Sequence, residues 1–159
     1  MESLLDDDDI FLDPENDKRS IEEWIKANYK VTGNLIVLDD FVVDCTGSVG
    51  VKNRNIESLT NGLFRWGNVG WNFDCDYCKN LTSLKGVPKE VGGSFWCNRC
   101  GRLETLEGAP EKVGGIFDCS FCYNLKSLKG APKEVGGKFD YSGCKNLRLT
   151  DQDREKYGI

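Results

Sequence analysis

"VGGSFWCNRCGRLETLEGAPEK" occupies residues 91–112, and "VGGIFDCSFCYNLKSLKGAPKE" follows at once over 113–134. The two stretches agree in register at Val, Gly, Gly, Phe, Cys, Cys, Leu, Leu, Gly and Pro. The same wording continues on both sides. Phe73, Phe95, Phe117 and Phe139 stand 22 apart, as do Val69, Val91, Val113 and Val135, and Leu81, Leu103, Leu125 and Leu147. A first cysteine column runs Cys75, Cys97, Cys119 and ends in Tyr141; a second runs Cys78, Cys100, Cys122, Cys144. Pro88, Pro110 and Pro132 follow Gly86, Gly108 and Gly130. A fixed period of this size marks a solenoid, whose units are each too small to bury a core alone, so that neighbours must stack.

The phase of each unit follows from strand geometry, in which residues i and i+2 share a face. Phe95 and Cys97 then point inward together, and Ser94 and Trp96 point outward. Cys100 turns in after the strand, and Leu103 and Leu106 line the return. Gly-Gly and Gly-x-Pro supply the corners. The expectation is a β-rich repeat solenoid of leucine-rich-repeat-like coils, each with one short parallel strand and a return loop. "GSVGVKNRNIESL" (47–59) fits the frame with one residue less and no cysteine, as a degenerate first coil.

Outside the coils the chain supplies caps, which a solenoid needs at its ends. Ser20-x-x-Glu23 before Trp24 and Ile25 predicts a capping box opening a helix over roughly 20–29. "NLIVL" and "FVVDC" around Asp39-Asp40 predict a hairpin. Thr150 predicts the start of a short polar helix through "DQDREKYGI". The expected organisation is an acidic disordered tail over 1–19, a helix-and-hairpin cap over 20–46, a solenoid over 47–149 and a C-terminal cap over 150–159.

Charge is uneven along the chain. Residues 1–40 carry 12 Asp/Glu against 4 Lys/Arg and residues 41–159 carry 14 against 17, within a net charge of −5. The run Asp6 to Asp9 reads as a solvated terminus, or else as a docking tail for a basic partner or a nucleic-acid mimic. The start of the chain lacks the basic and apolar regions of a secretory signal, and no stretch approaches a membrane span, so a cytoplasmic protein is expected. Eight cysteines in that compartment stay mostly reduced.

Cys75-x2-Cys78-x18-Cys97-x2-Cys100 has the spacing of a four-cysteine zinc site. Three observations favour a buried ladder of thiols instead, with no metal. The pair recurs a third time without a complete partner pair, since the fourth unit offers only Cys144. The first column accepts Tyr141, which a ligand column would not. The spacing also follows from the repeat length alone, and free cysteine packs as a small hydrophobe.

The wording "VGGxFxCxxCxxLxSLxGxPxx", with the preface "IEEWIKANYKVTGN" and "VGVKNRNIESL", resembles the leucine-rich-repeat-like proteins encoded by large tailed bacteriophages. The resemblance covers about residues 20 to 149. In such sequences the second cysteine slot is often Asn, which agrees with a ladder. The resemblance implies architecture and a phage origin, and through that origin a host bacterial protein as partner; it implies no particular chemistry.

The chain has no histidine, which removes His-dependent triads, His metal sites and His acid–base pairs. Its Gly-Gly pairs recur at corners and do not open a helix after a strand, so no phosphate loop is present. The expectation is a non-enzymatic binding module without cofactor. Outward strand residues form the column Asp74, Trp96, Asp118, Asp140, and two positions past the first cysteine runs Tyr77, Arg99, Phe121, Gly143. Trp96, Tyr77, Arg99 and Phe121 are the residue types of interface hot spots, and with the three aspartates they form the expected partner-binding set. The alternative for Tyr77 and Phe121 is local packing over the corners. Trp96 is expected to be exposed because its column otherwise holds aspartate. Two other roles stay open. One is nucleic-acid-related, through Lys85, Lys89, Lys129, Lys133 and Lys138 or through the acidic tail. The other is a virion or scaffolding component that assembles through an uncapped end.

Overall fold

Each 22-residue unit contains two short apolar footholds, a valine and a phenylalanine, separated by a corner that is Gly-Gly in three units and Gly70-Trp71 in the first. Both become strands. The computed structural model describes residues 14–159, with side chains described from Lys18 onward. In chain order it holds α1 (Pro14–Asn28), β1 (Tyr29–Val31), β2 (Leu35–Val37), β3 (Val42–Cys45), β4 (Val49–Val51) and β5 (Arg65–Val69). Then come β6 (Phe73–Asp74), β7 (Glu90–Val91), β8 (Phe95–Trp96), β9 (Lys112–Val113), β10 (Phe117–Asp118), β11 (Glu134–Val135), β12 (Phe139–Asp140) and α2 (Asp151–Tyr157).

The strands stack into two sheets. One runs β1-β4-β6-β8-β10-β12 and carries the phenylalanine column; the other runs β2-β3-β5-β7-β9-β11 and carries the valine column. All pairs within the coils are parallel, and from β5 and β6 onward they keep the repeat register, Phe73 beside Phe95 and Val91 beside Val113. Only β1 and β2, at the N-terminal edge of each sheet, pair antiparallel. The chain is thus a β-solenoid of about four turns. The expectation of one strand per coil is corrected to two. The valine foothold, read as part of the return, has a neighbour in the same register in every coil, and that pairing satisfies its backbone.

The Gly-Gly corner is required by close approach. A Cβ on Gly114 would lie 2.1 Å from the Gly92 carbonyl oxygen of the preceding coil, and one on Gly92 would lie 2.2 Å from that of Gly70. Only glycine lets the coils close to strand spacing there.

Inside, the columns form ladders. Phe73, Phe95 and Phe117 are fully buried and stack face to face at 5.4 Å between centroids with planes 7° apart. Each such ring contributes roughly 1.5–3 kcal/mol by leaving water. Leu81, Leu84, Leu103, Leu106 and Leu125 complete a continuous core. The thiols are a ladder too. Cys100 Sγ donates to the Cys75 carbonyl (3.1 Å), Cys122 to Cys97 (3.2 Å) and Cys144 to Cys119 (3.2 Å). Burial pushes the Cys75 and Cys122 thiols up to about 12, so these groups stay protonated.

The first coil follows the expected frame at Ile56 and Leu59, both buried. It then runs long: Val49 stands opposite Phe73 where a regular period would place residue 71. The extra chain lies around Asn61 and Gly62, both in left-handed conformation (φ 51° and 70°).

At the N-terminal end, α1 lays Ile21 and Ile25 on the first coil, and Trp24, Tyr29, Phe64 and Trp66 pack as a chain of aromatic rings. The Tyr29 hydroxyl donates to the Leu59 carbonyl at 2.6 Å. The helix starts at Pro14 where about residue 20 was expected, so Ser20 lies inside it and Ser20/Glu23 is no capping box. Proline favours the first turn of a helix, and that signal outweighs the serine. Helix therefore replaces residues 14–19 of the expected tail, while its remainder, including Asp6 to Asp9, lies outside the described residues. The hairpin over Leu35–Cys45 is present. At the far end Thr150 and Asp153 form a reciprocal capping box at the start of α2, and Gly158 closes it in left-handed conformation (φ 65°). Among the described residues no helix is long and apolar enough to cross a membrane.

Candidate functional site

The chain leaves each β6-type strand through a turn in which the second residue past the first cysteine points to solvent. These residues are Tyr77, Arg99 and Phe121, and all three have left-handed backbones (φ 58°, 57° and 56°). Parallel ladder bonds hold them in file: Tyr77 N–H donates to the Asn98 carbonyl, Arg99 to Ser120 and Phe121 to Ser142, at 2.9, 2.9 and 2.8 Å. The side chains therefore stack one coil apart. The Arg99 guanidinium lies 5.4 Å from the centre of the Tyr77 ring and 4.7 Å from that of Phe121. Two cation–π contacts to one arginine pre-order a flat row. All three side chains are exposed; Tyr77 shows 56% of its surface and Phe121 37%.

The fourth position explains its own glycine. A Cβ on Gly143 would sit 2.5 Å from the Phe121 ring, which lies across that corner. Phe121 is thus both a solvent-facing ring and a lid over the last corner, so part of the local-packing alternative holds for this residue. Tyr123 extends the row: its ring meets Phe121 edge-on at 6.5 Å and takes the Lys145 ammonium at 5.6 Å. Sequence reasoning missed Tyr123, although it interrupts the column Lys79, Gly101, Lys145. It also missed Trp71, 66% exposed, the single aromatic in a column that continues Gly93, Gly115, Gly137.

The other expected column behaves differently. Asp74, Trp96, Asp118 and Asp140 pair in register, but all four are half-buried. The expectation that Trp96 is exposed is corrected accordingly, and among the described residues the rings that the Arg99 guanidinium lies over are those of Tyr77 and Phe121. The aspartates are turn caps: Asp74, Asp118 and Asp140 each accept a hydrogen bond through Oδ1 from the backbone N–H two residues on, at 2.8–2.9 Å. Where Trp96 breaks the column, Asp76 of the preceding coil takes over and accepts from Asn98 N–H at 2.9 Å. Burial, and then the Asp74 carboxylate, push Asp76 up to about 6. Arg54, in the second-cysteine slot of the degenerate coil, pairs with Asp74 at 3.3 Å and donates to the Asp76 carbonyl. Lys138 holds Asp140 down at about 2.

Of the five lysines considered for phosphate contact, three have acidic partners: Lys129 with Glu107 (2.9 Å), Lys133 with Glu111 (3.4 Å) and Lys138 with Asp140 (2.7 Å). Lys85 and Lys89 do not pair among the described residues. No three His, Cys, Asp or Glu side chains converge as metal ligands among the described residues, and the cysteines of the zinc-like spacing take their places in the thiol ladder.

Comparison with known protein families, curated proteins and solved structures returns no match.

Proposed function

We propose that the protein is a non-enzymatic binding module that grips a partner protein with the Tyr77–Arg99–Phe121 row. One observation carries this reading. A left-handed backbone costs an ordinary L-residue roughly 1–2 kcal/mol, and glycine avoids that cost. The chain holds glycine at position 143 of this column but a tyrosine, an arginine and a phenylalanine at the other three. Backbone strain kept at exposed positions in aid of large side chains points to function. The side chains are also those that dominate interface energies. By the resemblance of the repeat wording alone, the chain is a phage protein and the partner a host bacterial factor, such as a defence or toxin–antitoxin component, which it binds and disables.

The test is substitution of the row by the residue the backbone prefers. Arg99→Gly and Tyr77→Gly remove the side chain and relieve the turn, so thermal stability should stay within about 1 kcal/mol of the native chain. Recovery of a stoichiometric host protein from nuclease-treated bacterial lysate should be lost. Undiminished recovery by both variants would sink the reading, and unfolding would be visible separately in the melting curve.

A further inference from the structure

The extra residues of the first coil open a cleft of about 550 Å³, within the roughly 300–1,000 Å³ of ligand sites. Its wall and floor are apolar, from Phe64, Trp66 and Val87, and its rim carries Arg65, Lys85 and Lys89. Among the described residues no acidic side chain lines it. The lysines at this level are unlike their counterparts farther along. In the column Lys85, Glu107, Lys129 and the column Lys89, Glu111, Lys133, each glutamate is paired with the lysine of the following coil. Lys85 and Lys89 are left without an acidic partner among the described residues, and so is Arg65. An apolar floor under an uncompensated cationic rim suits an occupant of the inverse pattern, apolar anchors beside carboxylates.

The chain carries one such stretch. Residues 1–13, "MESLLDDDDIFLD", set Asp6 to Asp9 between Leu4-Leu5 and Ile10-Phe11-Leu12. They enter α1, whose Trp24 packs against Phe64 of the cleft wall at 5.9 Å between centroids. From Trp24 back to Pro14 the helix runs about 15 Å. Thirteen extended residues span about 40 Å, enough to return along that distance with length to spare. We propose that this cleft is the docking site for the chain's own residues 1–13. Ile10, Phe11 or Leu12 seats on Phe64 and Val87, and the aspartates meet Arg65, Lys85 and Lys89. The segment would thereby mask the basic patch of the solenoid.

Zero-length coupling of the full-length chain with a water-soluble carbodiimide tests this directly. The reagent joins a carboxylate to a lysine amine as an amide, and the carbodiimide takes up the water lost. Peptide mapping of the monomeric product should find Asp6–Asp9 joined to Lys85 or Lys89. Those links should fall severalfold when NaCl is raised to about 0.5 M, where the screening length shrinks to about 4 Å. The Lys129–Glu107 pair serves as the internal positive control. In parallel, changing Asp6 to Asp9 together to asparagine should shift backbone amide resonances at residues 60–66 and 85–89 and leave those at 113–135 in place. Links spread equally over Lys79, Lys129 and Lys133 would overturn the proposal. So would links found only between two molecules, or unchanged resonances around the cleft.

Discussion

At the N-terminal end a 15-residue helix, an antiparallel strand on each sheet and four aromatic rings cover the first coil; at the C-terminal end seven helical residues set one tyrosine, Tyr157, against Phe139 at 4.9 Å. The rings register the difference. Phe73, Phe95 and Phe117 stack in parallel and are fully buried, whereas Phe139 is half-buried and turns 73° out of the stack. Around it Val135, Tyr141 and Tyr157 frame an open hollow of about 380 Å³. A coil with neighbours on both sides is held by two interfaces, and the last coil by one plus a light cap. Stability in such a chain is a sum of nearest-neighbour terms, so the same substitution should cost less the nearer it lies to the C-terminal end.

The largest effect is expected at the corners. Gly114→Ala forces a Cβ to 2.1 Å from the backbone of the preceding coil, and with coils on both sides neither can yield. We expect more than about 3 kcal/mol lost in urea unfolding. Gly136→Ala makes the same clash, at 2.2 Å from the Gly114 carbonyl, in a coil free to shift outward, and should cost no more than half as much. Equal costs would break the comparison.

Next come the rings. Phe95→Ala empties a site closed on every side and should cost about 3–5 kcal/mol. Phe139→Ala removes a half-buried ring where the hollow already admits solvent, and about 1–2 kcal/mol is expected. Chemical denaturation of both variants sharpens the comparison, and a larger loss for Phe139 would reverse it.

The smallest effects are electrostatic, and they have opposite signs. The folded-state value of Asp76 is raised from 3.8 to about 6, so the folded chain binds more protons than the unfolded one between those values, and its stability falls as pH rises through that window. Asp76→Asn, which keeps the acceptor for Asn98, should be more stable than the native chain at pH 7 and equal to it below about pH 4. Asp140 is lowered to about 2 by Lys138, so its contribution is present above 3.8 and lost as pH falls through 2. Asp140→Asn should therefore be the less stable chain at neutral pH. Urea midpoints of Asp76→Asn at pH 3 and pH 7, and of Asp140→Asn at pH 2 and pH 7, check both signs.

The architecture was legible because every column repeats: phenylalanine, cysteine, leucine and glycine each announce their burial or their turn four times over. What escaped were features with no echo. The second strand of each coil hides behind a single valine, since two-residue strands show no alternation. The start of α1 lies in residues outside the repeat, where proline and serine signals compete. Of the candidate row, Tyr77, Arg99 and Phe121 were found because a position two past the cysteine could be followed from coil to coil. Trp96 was misjudged because a column of aspartates suggests solvent, whereas these aspartates accept backbone hydrogen bonds at half-buried turns. Tyr123 and Trp71 stand alone in their columns, so no pattern called attention to them.

The constant spacing of the coils makes the molecule extensible. Because residues 91–112 and 113–134 present the same footholds to the neighbours before and after them, one further copy of such a unit could be spliced between them with both ends unchanged. Each copy would lengthen the outward row by one step of about 4.8 Å. The length of the outward row is therefore set in whole-repeat increments, and what each increment presents to solvent by a single side chain.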